Sequence, residues 1–546
     1  MTTDDTARDG PSPARARPST VDTPRGRSVL YLDRYLYSRY DPEKTALEAV
    51  RNVPLREGTL VLCVSPILGY GLDLLLSRLP AESFVLAVEA DENLMALSAA
   101  SIPREILSNP SLRYVRTTSV ARALETVDAL SQGPFRRCVR VDLSGGAALN
   151  EPFYRALHDS IDDYISRYWK NRLTIMKLGR SYARNFFSNL ASLRSSYAMP
   201  TKSVGRTVFV AGAGPSLEET ISFVSERKAS LYVLAVDAAL PALRDAGITP
   251  DAIALVESQF WITRAFTGFS RSGIPVFADL TANPTAIAAT GGPVSFFFTP
   301  YARARFLDRF ASLGVAIPEL PPLGSVGLAA LELALGISSS ETPILFAGLD
   351  FSWGSGFTHC RGAPSAREAH AQTTRLSTLE DAAWREPDLI SHARGKDGAI
   401  VSTDPALSGY AALCVARFGG ETRLFDLGSR GLETGCPRVS LKEADALIRE
   451  RGSGTESPRF RLSFDEPMVS GFLAEERERL LSVRDMLTRE EPADSVRLLG
   501  ELAERDYLFL HFPDGYRGVD ASSAFLKRAR IELEYFLKTL ERPRAF

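Results

Sequence analysis

Three groups of residues in this sequence have types and spacing that could do chemistry. The first is Gly212-Ala213-Gly214-Pro215-Ser216, which follows the apolar run Arg206–Ala211. Two glycines permit a tight turn, and Pro215 suits a first helical position whose N–H would have no partner anyway. A strand, a glycine turn and a helix start aim backbone N–H groups and the positive end of a helix dipole at an anion, and Ser216 adds a hydroxyl. The second is Gly324-Ser325-Val326-Gly327, another glycine-containing helix start, with the Ser325 hydroxyl as a further donor. The third is a set of carboxylates that close apolar runs: Asp237 after Leu231–Val236, Glu257 after Ala252–Val256, and Asp350 in Ala347-Gly-Leu-Asp-Phe351. In an open parallel sheet, ligands bind beyond the carboxyl ends of the strands, so one crevice can collect all three groups. Two helix starts facing one crevice suit a ligand with two negative groups, such as a phosphodiester and a carboxylate.

Proton transfer needs a base, and the chain has five histidines. His158, His370 and His511 fall in helical or peripheral contexts. His359, beside Thr358 in the polar loop after Phe351, and His392 are placed in loops of the central region, and an ordinary histidine titrates near neutral pH. Asp350 is the carboxylate alternative. Asp237, Glu257 and Asp350 could instead offer hard oxygens to a metal. The phosphate-binding pattern G-x-x-x-x-G-K-[ST] is absent, so a P-loop ATPase is not supported.

These residues need a scaffold, and the chain supplies more than one. At 546 residues it is too long for a single core. A net charge of −2 gives no electrostatic reason to expect nucleic acid. The five cysteines lack C-x-x-C spacing, which predicts reduced thiols and argues against a zinc site. No apolar run reaches the roughly 20 residues that span a bilayer, and the N-terminus lacks an export signal's apolar core, so a cytoplasmic protein is expected.

Residues 1–27 hold almost no large apolar side chain and are predicted disordered. Residues 28–165 alternate strands and helices as a Rossmann-like unit, with strands at 59–64, 84–88, 112–116 and 137–141. Its first loop, Ser65-Pro66-Ile67-Leu68-Gly69, lacks the glycines of a dinucleotide site, so Glu89 at the end of the second strand is expected to serve a scaffold that docks a protein acceptor. A helical connector (166–200), a central α/β domain (201–440) and a helical C-terminal domain (441–546) suited to capping or oligomerisation follow.

Val-Ala-Gly-Ala-Gly-Pro-Ser-Leu217, Ala-Val-Asp237, Gly-Ile-Thr-Pro-Asp251, Gly-Ser-Val-Gly327 and Ala-Gly-Leu-Asp-Phe351 with Thr358-His359 together resemble the motility-associated factor (Maf) glycosyltransferases. These carry the domain of unknown function 115, also called MptE-like. The resemblance covers roughly residues 30–440. It implies a cytoplasmic enzyme that moves a nonulosonic acid (pseudaminic, legionaminic or sialic type) from a CMP-activated donor to Ser or Thr of flagellin. The central domain is also similar to bacterial sialyltransferases with a GT-A-like fold, and that likeness makes His392 the base, whereas the Maf pattern stresses Thr358-His359. Sialyltransferases have Asn where Ala213 and Asp237 stand, and Maf proteins commonly have Asp where Glu257 stands. The donor is a substrate; no other cofactor is implied, with Mg²⁺ the metal of a rival reading. That rival comes from the same superfamily, whose archaeal members are 6-hydroxymethyl-dihydropterin diphosphokinases using ATP and Mg²⁺. A third reading is a non-catalytic assembly factor that binds flagellin.

Overall fold

Runs of β-branched and apolar residues, each followed by a glycine turn or a helix start, build two parallel sheets. The structure, a computed structural model, describes residues 17–130, 134–315, 317–354, 358–378, 390–451, 466–489 and 495–541. It divides between Thr174 and Ile175 into two units.

The first unit opens with β1 (Ser19–Thr23), β2 (Gly26–Tyr31) and β3 (Arg34–Tyr35), an antiparallel sheet in that order. This corrects the expectation of disorder as far as residues 19–27 are concerned; residues 1–16 lie outside the described residues. The hairpin needs little apolar surface of its own. Val29 and Tyr31 find their partners in Leu36, Tyr37, Ile67 and Leu68, contacts that the composition of a short segment cannot reveal.

The four strands read from the sequence follow as β4 (Thr59–Val64), β5 (Phe84–Glu89), β6 (Leu112–Arg116) and β7 (Arg137–Asp142). They pair in parallel in the order β6-β5-β4-β7, half of a Rossmann sheet. Glu89 is fully buried. Its carboxylate accepts from Ser65 Oγ at 2.8 Å and from the Ala90 and Asp91 N–H groups, each at 3.0 Å. The group that would face a ribose in a nucleotide-binding version is thus engaged by the protein itself.

One helix, Glu151–Ser192, spans 42 residues and absorbs most of the expected connector. In the second unit its end carries Phe186, Phe187 and Leu190 into the core. There β8 (Thr207–Ala211), β9 (Leu231–Val236), β10 (Ala252–Leu255), β11 (Val276–Asp279), β12 (Val294–Phe297) and β13 (Ile344–Ala347) form a parallel sheet. A small antiparallel hairpin, β14 (Ser391–Arg394) and β15 (Ile400–Thr403), precedes the last strand, β16 (Leu424–Asp426). The order is β12-β11-β10-β9-β8-β13-β16, all seven parallel. Helices cover both faces of such a sheet, which is why its strands read as unbroken apolar runs. The helices Glu466–Arg489, Ser495–Ala503 and Ser523–Glu541 share one hydrophobic core with this sheet. The expected C-terminal domain is therefore part of the second unit: Tyr507 stacks edge-on against Phe187 at 5.0 Å and Phe306 at 5.2 Å.

Candidate active site

The strand order reverses at β8, which has β9 on one side and β13 on the other. A crevice opens at such a switch point. Here the turns after β8 and β13 lie against each other so closely that only glycine fits. A Cβ on Gly212 would overlap the Gly348 carbonyl, and one on Gly348 would overlap that of Gly212. Gly348 also has φ +76°, a left-handed conformation that other residues resist. Gly212 N donates to Ala347 O and Gly214 N to Gly348 O, each at 2.8 Å.

Ser216 staples the two turns. Its Oγ accepts from Gly348 N at 2.9 Å, and its own N–H donates to Asp350 Oδ2 at 2.9 Å. At this helix start, expected to hold a ligand's anion, the Ser216 N–H is already taken by the protein's own Asp350, while Gly212, Ala213 and Gly214 still line the cleft. Gly214 has no side chain because a Cβ there would overlap Asp350 Oδ2.

The second helix start remains open. Helix Val326–Ile337 begins at Ser325, and no side chain caps it. Gly324, with φ +70°, brings the backbone against the Tyr410 ring, and Gly327 packs against Leu349. Gly324, Ser325 and Gly327 line a cleft of about 390 Å³.

The same cleft takes in Gly212, Ala213, Gly214, Asp237, Glu257, Asp350, Phe351, Thr358 and His359. Asp350 is buried, its Oδ1 makes no hydrogen bond, and burial pushes its carboxyl up to about 6. Asp237 accepts from Ala238 N at 2.7 Å through Oδ1, while Oδ2 is buried and unpartnered. Burial, with some help from the charge of Glu257, raises it to about 7. Glu257 is partly exposed and accepts from Gln259 N at 2.8 Å. Each buried acid can therefore carry a proton near neutral pH and donate it to a ligand oxygen. No three ligand atoms of these acids come within 4.8 Å of one another among the described residues, so the site does not fit the metal of the rival reading, held by Asp237, Glu257 and Asp350.

The two histidines part company. His359 lines the cleft; its Nδ1 lies 3.0 Å from Thr358 Oγ1 and 3.2 Å from Ser365 Oγ. Burial holds its imidazolium below the usual histidine range. When Nδ1 donates to a hydroxyl, the lone pair sits on Nε2 and the ring is set as a base. His392 is exposed on β14, 3.4 Å from Ser402 Oγ, and lies outside the cleft, as do Pro215 and Ser216. The reason is strand order: Ser402 of β15 bonds Trp353 in the loop after β13, which leaves His392 one strand further out.

Sequence reasoning missed the aromatic walls. Tyr182, Trp261 and Tyr410 line the cleft, and Trp261 is 42% exposed. A signal existed for Trp261, one of four tryptophans, four residues past the strand-end Glu257. The reading also missed a buried ion pair behind Asp350. Lys396 Nζ lies 2.5 Å from Asp426 Oδ2, which also accepts from Thr434 Oγ1 at 3.0 Å.

Comparison with known proteins agrees with this architecture. The model of the family described as 6-hydroxymethylpterin diphosphokinase MptE-like matches residues 184–356. An uncharacterized protein of Treponema pallidum (strain Nichols) is 37% identical over 547 aligned positions, covering 96% of this chain and 95% of that protein. The Maf glycosyltransferase structure from Magnetospirillum magneticum AMB-1 superposes with a TM-score of 0.58, covering 96% of this chain and 91% of that one. At 14% identity that likeness is one of fold. Among the described residues, no helix is long and apolar enough to cross a membrane. The chain belongs to the family of the Treponema pallidum protein, and the MptE-like model matches its central residues 184–356.

Proposed function

We propose that this chain is a glycosyltransferase that moves a nonulosonic acid from a CMP-activated donor to Ser or Thr of flagellin in the cytoplasm. The observation that carries the reading is one cleft in which an uncapped helix start, two buried protonatable carboxyls and His359 surround the same space. The Val326 and Gly327 N–H groups would hold the donor's carboxylate or phosphate. Trp261 and Tyr410 offer flat apolar faces to the sugar or the base. The acceptor hydroxyl oxygen attacks the anomeric carbon and passes its proton to His359 Nε2. The bond from that carbon to the CMP phosphate breaks, and its electron pair leaves with the phosphate. This assignment places the base at His359; the sialyltransferase likeness had pointed to His392.

The MptE-like match keeps a pterin diphosphokinase as the second reading. Thermal-shift measurements with CMP, CDP, UDP and ATP, each with and without Mg²⁺, separate the two, because a ligand that binds the native state raises the melting temperature. Stabilisation by CMP without Mg²⁺ supports the glycosyltransferase. Stabilisation by ATP with Mg²⁺ alone overturns it. Mass spectrometry of flagellin incubated with the chain and a CMP-nonulosonate then distinguishes transfer from mere binding.

A further inference from the structure

In the first unit the edge strand β7 runs along the first turns of helix Glu151–Ser192, and two contacts fix their register. Arg140 grips Glu151 twice, Nη1 to Oε1 at 3.0 Å and Nη2 to Oε2 at 2.6 Å. Past the other end of β7, the Trp169 indole N–H donates to Phe135 O at 2.8 Å. Between these anchors Cys138 projects on the same side of the strand as Arg140, since residues two apart share a face. It meets His158 and Asp162, which stand one turn apart on the helix. One donor atom from each of the three lies within 4.8 Å of the other two, and His158 Nδ1 is 3.8 Å from Asp162 Oδ2.

We propose that Cys138, His158 and Asp162 bind one zinc ion, with water in the fourth position, and that the ion clips the edge strand to the helix. The donor set suits zinc: thiolate, imidazole and carboxylate each bind it at about 2.0–2.3 Å. A tetrahedral ion spaces such donors about 3.5 Å apart, so the three must close by about 1 Å. Thiolate and imidazole select against Mg²⁺ and Ca²⁺. One thiolate and one carboxylate balance the dication. The site is reachable, because β7 is an edge strand, Cys138 and His158 are only half-buried and Asp162 is exposed. Burial and the nearby Asp162 push the Cys138 thiol up, so zinc uptake releases its proton. Packing alone accounts for a cysteine at the rim of this apolar cluster. It does not account for a histidine and a carboxylate turned toward the sulfur. The sequence-based argument against zinc rested on C-x-x-C spacing, which does not register ligands gathered from a strand and a helix.

The test uses the full-length chain, stripped with chelator, dialysed and titrated with ZnCl₂, with bound metal counted by mass spectrometry. The expected result is one zinc per chain. Co²⁺ in its place should give a thiolate-to-metal charge-transfer band that Cys138→Ser abolishes. Losing a ligand should exceed the 10–100-fold affinity loss typical of outer-shell changes, so Cys138→Ser and His158→Ala should each weaken zinc by more than about 100-fold. Asp162→Asn, an exposed position that leaves folding untouched, should weaken it too. Zinc stoichiometry and affinity unchanged in these variants, or no zinc bound by the wild-type chain at micromolar concentration, overturns the proposal.

Discussion

Replacing Asp237 with asparagine removes a buried carboxyl and leaves its shape, including the atom that accepts from Ala238 N. Its folded-state value of about 7 stands above the ordinary 3.8 because burial disfavours the charge. The sign follows from proton uptake. Below pH 3.8 both states hold the proton and the carboxyl carries no penalty. As pH rises from there toward 7, the unfolded chain releases its proton first, so stability falls, and the loss is complete above about 7. Three units at 1.36 kcal/mol each set a ceiling of about 4 kcal/mol. An effective dielectric above that of a dry interior brings the expectation to about half, about 2 kcal/mol. Asp237→Asn should therefore stabilise the second unit at pH 8, and its advantage should grow by about 1–1.5 kcal/mol between pH 5 and pH 8. Urea unfolding followed by tryptophan fluorescence at both pH values and constant salt measures this. A difference between wild type and variant that does not change with pH, or a variant less stable at pH 8, refutes the electrostatic reasoning. Glu257→Gln in the wild-type background should shrink the pH dependence, since the charge of Glu257 contributes to the shift.

Under the proposed reaction, His359→Ala should slow transfer by about 10²–10⁴-fold while sparing donor affinity, and His392→Ala should transfer at the wild-type rate. Because burial depresses the His359 value, the midpoint of the fall in kcat/KM should lie below the ordinary histidine value of 6.5; a midpoint above it excludes His359 as the base. Gly348→Ala should cost about 3 kcal/mol or more in urea unfolding, from a forced left-handed alanine and its overlap with the Gly212 carbonyl. An unchanged midpoint contradicts the close approach of the two turns. Lys396→Ala strands the buried Asp426 carboxylate and should cost about 3–5 kcal/mol. Lys396→Met with Asp426→Asn should recover most of that loss in the same assay.

What the sequence determined by itself was local. Apolar runs marked β4, β5 and most of the second sheet, because a strand buried on both faces has no polar alternation to hide it. The same logic put Asp237, Glu257 and Asp350 at strand ends, and the structure gathers all three at one cleft. β16 escaped notice because three residues make too short a run. The site's internal wiring was decided by tertiary structure. Ser216 and Asp350 are 134 residues apart, and nothing in either local pattern says that the helix start will hold a protein carboxylate in place of a ligand. Asn185 and Asn189 fall in the stretch read as a helical connector. They are fully buried, and their amides donate to Ser258 O, Thr281 O, Leu280 O and Ala282 O, tying down the strand-end loops. Which of His359 and His392 lines the cleft was decided in the same way, by which strand lies beside which. Periodicity reports the face a residue turns to its own element; strand order across more than a hundred residues decides what that face meets.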